Sequence, residues 1–233
     1  MKEPKKSSPG WFRIVLILLI AVLLATLLLL ILELRKTDQA YEQAQETAGT
    51  FDEFREKTER NPDIIAWLKV DGTKIDTPVA QGADNVRYLT TDVEGNRSFT
   101  GCPFLDYRNS PEFTDVYSII YGHHVEQHLM FGDLDLFRNP DFWKEERTGT
   151  LTLADGTAIG IRFFACVVTT SEDTRYFDPL RVRNNWEREF LDGLLTKAVY
   201  AGEPIGEEDR ILALSTCAVA DSKERILLLG KLE

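Results

Sequence analysis

Ile211-Leu-Ala-Leu-Ser-Thr-Cys217 is a short apolar run with a polar end, and across a short polar turn a second run follows, Arg225-Ile-Leu-Leu-Leu229. Runs of this length, bounded by turn residues and rich in aliphatic side chains, read as strands; a helix would need a longer pattern. Two strands joined by a short turn form a hairpin, which brings Arg225 beside Cys217 at the end of the pair. The first strand would deliver the Cys217 thiol to a rim.

The same texture extends outward from this hairpin. Ala66-Trp-Leu-Lys-Val70 precedes an Asp-Gly turn at 71 and 72, and further β-type runs occupy residues 75–79, 116–121, 150–153, 159–169, 211–214 and 226–229, with a second Asp-Gly at 155 and 156. This many short strands predicts a mainly β domain, closed into a barrel of about eight strands. One segment breaks the rhythm. Between Thr169 and Ile211 the connection is too long for a plain loop. Within it Trp186, Phe190, Leu194, Leu195, Ala198 and Val199 recur at helical spacing, with Asn184 or Asn185 as N-cap, so the insertion is expected to carry a helix.

Ahead of the domain, Ile14 to Leu32 is apolar throughout except for Thr26. About 19 residues at 1.5 Å each cover roughly 28 Å, the hydrocarbon thickness of a bilayer. A cleaved signal peptide is the rival reading, since Lys2, Lys5, Lys6 and Arg13 precede the run; but the run is long and ends in Leu-Glu-Leu-Arg-Lys rather than in small residues. A retained anchor is therefore expected. The lysines before the span, with Trp11 and Phe12 at the interface, place the N-terminus in the cytoplasm and the rest outside, although Arg35 and Lys36 weaken the asymmetry. The expected organisation is a basic tail at 1–13, an anchor at 14–34, a polar helical neck at 35–60 and a single β-rich domain at 61–233.

A formal net charge of -11 argues against nucleic acid as a partner, because no basic stripe is present to meet phosphates. The three cysteines, Cys102, Cys166 and Cys217, are too few and too scattered for a disulfide framework or a zinc site. Cys166 lies inside an apolar run and reads as core packing. A Cys102–Cys166 disulfide stays open at this point. His124 and His128 are spaced as a helical metal pair, yet the Glu of a His-Glu-x-x-His motif and a third ligand are missing, so rim side chains are the preferred reading. Asp133 and Asp135 lack the further oxygen ligands of a calcium loop and read as part of a short capped helix. No metal and no cofactor are expected.

A lone cysteine is more often an inert small hydrophobe than a nucleophile. Cys217 acquires a second meaning from its surroundings, since a nucleophilic thiol needs a proton partner and a group to stabilise an oxyanion. His123 ends another β-type run, Val116-Tyr-Ser-Ile-Ile-Tyr-Gly-His123, and Arg225 opens the strand after Cys217. By spacing alone this is a weak constellation.

Leu214-Ser-Thr-Cys217 with Arg225 downstream and Tyr121-Gly-His123 upstream resembles the signature of sortases, cysteine transpeptidases of Gram-positive cell surfaces. Asn61-Pro-Asp-Ile-Ile-Ala-Trp-Leu-Lys-Val-Asp-Gly-Thr-Lys-Ile-Asp-Thr-Pro-Val79, Phe104-Leu-Asp-Tyr-Arg-Asn109 and the helix-bearing insertion resemble class B members in particular, and the resemblance runs over residues 61–232. It implies that Cys217 attacks, that His123 is general acid and base, and that Arg225 holds the substrate backbone and the oxyanion. It also implies that Ser215 and Thr216 help shape the substrate pocket and that the insertion helix walls one side of the groove. The implied partners are a sorting-signal peptide of the Asn-Pro-x-Thr kind and an amine, from either a cell-wall precursor or a pilin lysine. Ala218 departs from those class B members that carry an acid after the cysteine, which leaves substrate and amine less defined than the reaction. A hydrolytic cysteine peptidase and a silent, membrane-tethered binding module are the alternatives from other classes.

Overall fold

The computed structural model describes residues 10–46, 51–125, 129–145, 147–180, 193, 196–201, 208–217 and 223–233. The chain divides into two units, residues 1–43 and 44–233. Helix α1 (Gly10–Glu46) supplies the described part of the first and runs a short way into the second. Its stretch Ile14–Leu32, with a mean hydropathy of 3.5, is long and apolar enough to cross a membrane.

In the second unit α2 (Phe51–Arg60) comes first. Pro62, which lacks an amide hydrogen, prevents its continuation, and Phe54 buries its ring edge-on against Trp67 at 5.7 Å. The strands then follow as β1 (Ile64–Val70), β2 (Asp76–Ala80), β3 (Phe104–Leu105), β4 (Tyr117–Gly122), β5 (His124–Val125), β6 (Leu129–Met130), β7 (Thr148–Leu153), β8 (Ala158–Thr170), β9 (Ala198–Ala201), β10 (Ile211–Cys217) and β11 (Glu224–Leu232), with α3 (Pro140–Glu145) before β7. Each apolar run read as a strand is one.

The spatial order is β11-β10-β4-β3-β2-β1-β7-β8, and β8 pairs back onto β11. The sheet is thus a closed eight-stranded barrel without a free edge in the ring. Closure depends on the length of β8. Its first part, Ala158 to Arg162, pairs with β7, while Ile161 to Thr170 pairs with β11 along the opposite edge.

Strand alternation divides the aliphatic residues between two layers. Leu212, Leu214, Ile120, Ile226 and Leu228 fill the barrel with Leu68, Val70 and Phe163. The connection between β6 and β7 supplies Phe131, Leu134, Phe137 and Trp143 to the same core. Ile211, Ala213, Ile119, Leu227 and Leu229 face outward, into a second cluster with Tyr117 and Tyr176.

One expectation changes here. Ala198 and Val199 belong to β9, paired with β8, and not to a helix; four residues satisfy either periodicity, and backbone pairing decides. The rest of the expected insertion helix, with Trp186, Phe190, Leu194, Leu195 and the caps Asn184 and Asn185, lies outside the described residues. Asp133 and Asp135 do sit in the first turn of a short helix, the 3-10 helix Gly132–Arg138. Asp133 accepts the Lys74 backbone N–H at 2.6 Å.

Candidate active site

The pairing register places the three candidate residues on adjacent strand ends. In the parallel β10–β4 ladder the last rung is Thr216 opposite Gly122, and the next residues along the two strands are Cys217 and His123. In the antiparallel β10–β11 ladder Cys217 stands opposite Arg225. Arg225 in turn stands opposite Thr169 of β8. The side chain of Cys217 and the turn at 218–222 lie outside what the structure describes.

Alternation adds a second coordinate. His123 has the parity of Ile119 and Tyr121, Arg225 that of Leu227, and position 217 that of Ile211, Ala213 and Ser215, all on the outward layer. Ser215 and Thr216 are both buried. Thr216 has the parity of Leu212 and Leu214, which face the barrel core, so of the two only Ser215 shares the outward layer with His123 and Arg225.

His123 is half-buried, and its Nε2 lies 2.8 Å from the Leu89 carbonyl oxygen. A carbonyl only accepts, so Nε2 carries a proton and in the neutral ring the free lone pair is on Nδ1. Leu89 closes the 3-10 turn Arg87–Leu89. Tyr88 of that turn donates from its hydroxyl to Asp63 at 2.8 Å, Arg87 pairs with the same carboxylate at 2.7 Å, and Asn61 donates to the Val93 carbonyl at 2.8 Å. The residues just before β1 therefore brace the loop that holds the histidine. Burial pushes the Tyr88 phenol up to about 12, which keeps its proton on the oxygen as a donor.

Two glycines let this rim close. A Cβ at Gly122 would lie 2.7 Å from the Phe131 ring packed beneath it. Gly101 has a φ of 56°, and a Cβ there would lie 2.2 Å from the Tyr88 carbonyl oxygen and 2.8 Å from that of Leu89. Gly101→Ala must therefore displace the acceptor of the histidine bond. Since a misplacement of about 1 Å can cost on the order of a hundredfold, Gly101→Ala is expected to lower any turnover that depends on His123 by roughly that factor. Steady-state kinetics on the full chain check it; a loss of less than about threefold would separate the Leu89 carbonyl from the orientation of His123.

His124, next along the chain, is engaged elsewhere. Its Nε2 lies 2.7 Å from Asp135, whose other oxygen faces Arg138 at 3.9 Å, and Arg138 reaches Glu224 at 3.4 Å. Arg225 donates from Nη1 to the Glu224 carbonyl at 2.9 Å. The other member of the spaced histidine pair, His128, lies outside the described residues.

Cys102 and Cys166 are free thiols, buried in different clusters, so the disulfide left open by the sequence is not formed. Burial pushes Cys166 up to about 12 and Cys102 higher still. A thiol held in that range supplies no thiolate near neutrality.

Thr169 escaped the sequence reading. Its side chain is buried opposite Arg225, and its Oγ1 has no hydrogen-bond partner among the described residues. Nothing local marks it, because its place opposite Arg225 arises only from the β8–β11 pairing.

No protein-family model matches the chain. Sortase B of Listeria monocytogenes is 32% identical over 185 residues, covering 78% of this chain and 74% of its own length. Among solved structures, a Streptococcus pyogenes class B sortase involved in pilus biogenesis is 38% identical with a TM-score of 0.73, covering 77% of this chain and 97% of that one. The Staphylococcus aureus sortase B–substrate complex is 27% identical with a TM-score of 0.71, covering 85% and 94%. Sortase B from the type II pilus of Streptococcus pneumoniae is 34% identical with a TM-score of 0.63, covering 75% and 95%.

Proposed function

The chain belongs to the class B sortases, a family of cysteine transpeptidases, and from that premise we propose that it cleaves the C-terminal sorting signal of exported proteins and transfers them to a cell-wall amine. The observation that carries the reading is the register, which sets Cys217 opposite Arg225 and one rung beyond the Thr216–Gly122 pair that precedes His123.

The Cys217 thiolate attacks a backbone carbonyl of an Asn-Pro-x-Thr-like peptide, forming a C–S bond and a tetrahedral oxyanion beside the Arg225 guanidinium. The C–N bond then breaks, and His123 protonates the departing amine. An incoming amine attacks the thioester, gives its proton to His123 and releases the cysteine sulfur. The bond between Nε2 and the Leu89 carbonyl leaves Nδ1 as the atom that exchanges protons. Ser215 and Thr216 shape the pocket, Thr216 through its backbone.

The helix with Ile14–Leu32 anchors the enzyme in a single pass. The cytoplasmic tail is 1–13, the anchor 14–34, the neck 35–60 and the extracellular catalytic domain 61–233. An anchored enzyme meets a lipid-linked wall precursor at the same surface. Pilin polymerisation is the second reading, with a pilin lysine as the amine; it is favoured by the two pilus-associated relatives, 38% and 34% identical to this chain.

The test incubates the full chain in detergent with a panel of sorting peptides, with triglycine or a lysine peptide as acceptor, and follows products by mass spectrometry. Cleavage and amine-linked product are expected, and both are expected to vanish in Cys217→Ala. The better acceptor separates wall anchoring from pilin polymerisation. Cleavage that never gives an adduct would favour a hydrolase, and no cleavage of any peptide would favour a silent binding module.

A further inference from the structure

Asp106, just after β3, is fully buried, where an unmatched charge is costly. It is matched on both oxygens. Arg108 donates from Nε to Oδ1 and from Nη2 to Oδ2, both at 2.8 Å; Asn85 donates to Oδ2 at 2.8 Å and the Tyr121 hydroxyl to the same oxygen at 3.0 Å. Burial alone would raise the Asp106 carboxyl, but the bonds from Arg108 and Asn85 outweigh it and hold the pKa below the ordinary value. Tyr121 lies two residues before His123 on the same stretch of chain.

The same guanidinium reaches the first turn of the long insertion. Nη2 donates to the Phe177 carbonyl at 2.7 Å, and Nη1 meets Asp178 at 3.1 Å. The Tyr117 hydroxyl of β4 donates to the Tyr176 carbonyl at 3.0 Å. At the base, Lys197 from the returning stem pairs with Asp173 at 2.6 Å and lies 5.1 Å from the Tyr176 ring. The rigid planar fork of an arginine can serve a carboxylate and a carbonyl together; a lysine point charge cannot.

We propose that Arg108 is a positioning residue, a latch that fixes the first turn of the insertion to the strand leading into His123 and thereby sets the affinity for the sorting peptide. The proposal rests on the sortase reading, in which the insertion walls the peptide groove, and deepens it. With the latch open the stem samples more conformations, and peptide binding must restore the ordered one. Once the peptide is bound the wall is in place, so the cost falls on KM and spares kcat.

The test uses the full chain in detergent with Arg108→Lys, which keeps a cation beside Asp106, and Asp178→Asn, which leaves the buried pair intact. We expect KM to rise by about fivefold in the first and about twofold in the second, with kcat within about twofold of wild type. Amide hydrogen exchange is expected to quicken by about tenfold at residues 174–180 in Arg108→Lys, with β4 and β10 unchanged. Faster exchange at 174–180 with unaltered KM in both variants would overturn the role in binding. Unaltered exchange there, or quickened exchange throughout the barrel, would overturn the latch itself. A wild type that turns over no peptide would sink the sortase reading separately, because the exchange comparison needs no substrate.

Discussion

Replacing His123 by alanine is expected to lower peptide kcat/KM by about a thousandfold, within the range that general acid–base catalysis contributes. The proposed chemistry moves a proton through this ring twice, once to the departing amine and once from the incoming one. In that proposed chemistry Nδ1 is the working atom, since Nε2 is committed to the Leu89 carbonyl at 2.8 Å. His123→Gln keeps an amide that can reach the place of Nε2 and donate to that carbonyl but offers no titratable group, so it should lose as much activity as alanine. The fold should survive both changes. One half-buried hydrogen bond contributes only about 1 kcal/mol, and the barrel core does not include His123. Kinetics paired with thermal melts decide the matter, and activity retained within about tenfold would remove His123 from the mechanism.

Asp106→Ala is expected to produce the largest loss of stability of any single rim substitution. Removing one partner of a buried pair leaves the other uncompensated, which typically costs about 3 to 5 kcal/mol. Here the abandoned group is Arg108, whose side chain is only 21% exposed, while Asn85 and Tyr121 lose an acceptor as well. For a chain of this size that corresponds to a fall in Tm of roughly 6 to 20 °C. The pH dependence has a definite sign. A carboxylate whose folded pKa is depressed contributes in full above its unfolded pKa, about 3.9, and loses that contribution as pH falls through the folded value. The Tm gap between wild type and Asp106→Ala should therefore stay level from about pH 8 to pH 5 and narrow only below about pH 4. A gap that already closes near neutrality would mean that a different group carries the stability.

The latch and the histidine brace share a feature that bears on engineering. Each joins a side chain to a backbone carbonyl on a distant loop, Arg108 to Phe177 and His123 to Leu89. Changes at Phe177 or Leu89 that keep the backbone path should be tolerated, whereas changes at Gly101, which crowds the Leu89 carbonyl, should not.

The sequence by itself determined whatever depends on neighbours along the chain. Strand runs such as 211–217 are legible because apolar residues bounded by turn residues bury well only as strands in a closed sheet, and Ile14–Leu32 is legible because bilayer thickness translates directly into residue count. The meeting of Cys217 with Arg225 followed from a hairpin, and the place of His123 from a strand end and a family resemblance. Tertiary structure alone decided the closure of β8 onto β11, the pairing that turned Ala198 and Val199 into a strand, the burial of Thr169 opposite Arg225 and the carbonyls that orient His123 and Arg108. The reason is physical. Every residue carries the same carbonyl, so a bond from His123 to one 34 residues away, or from Arg108 to one 69 residues away, leaves no mark in residue type and comes into being only when the barrel folds.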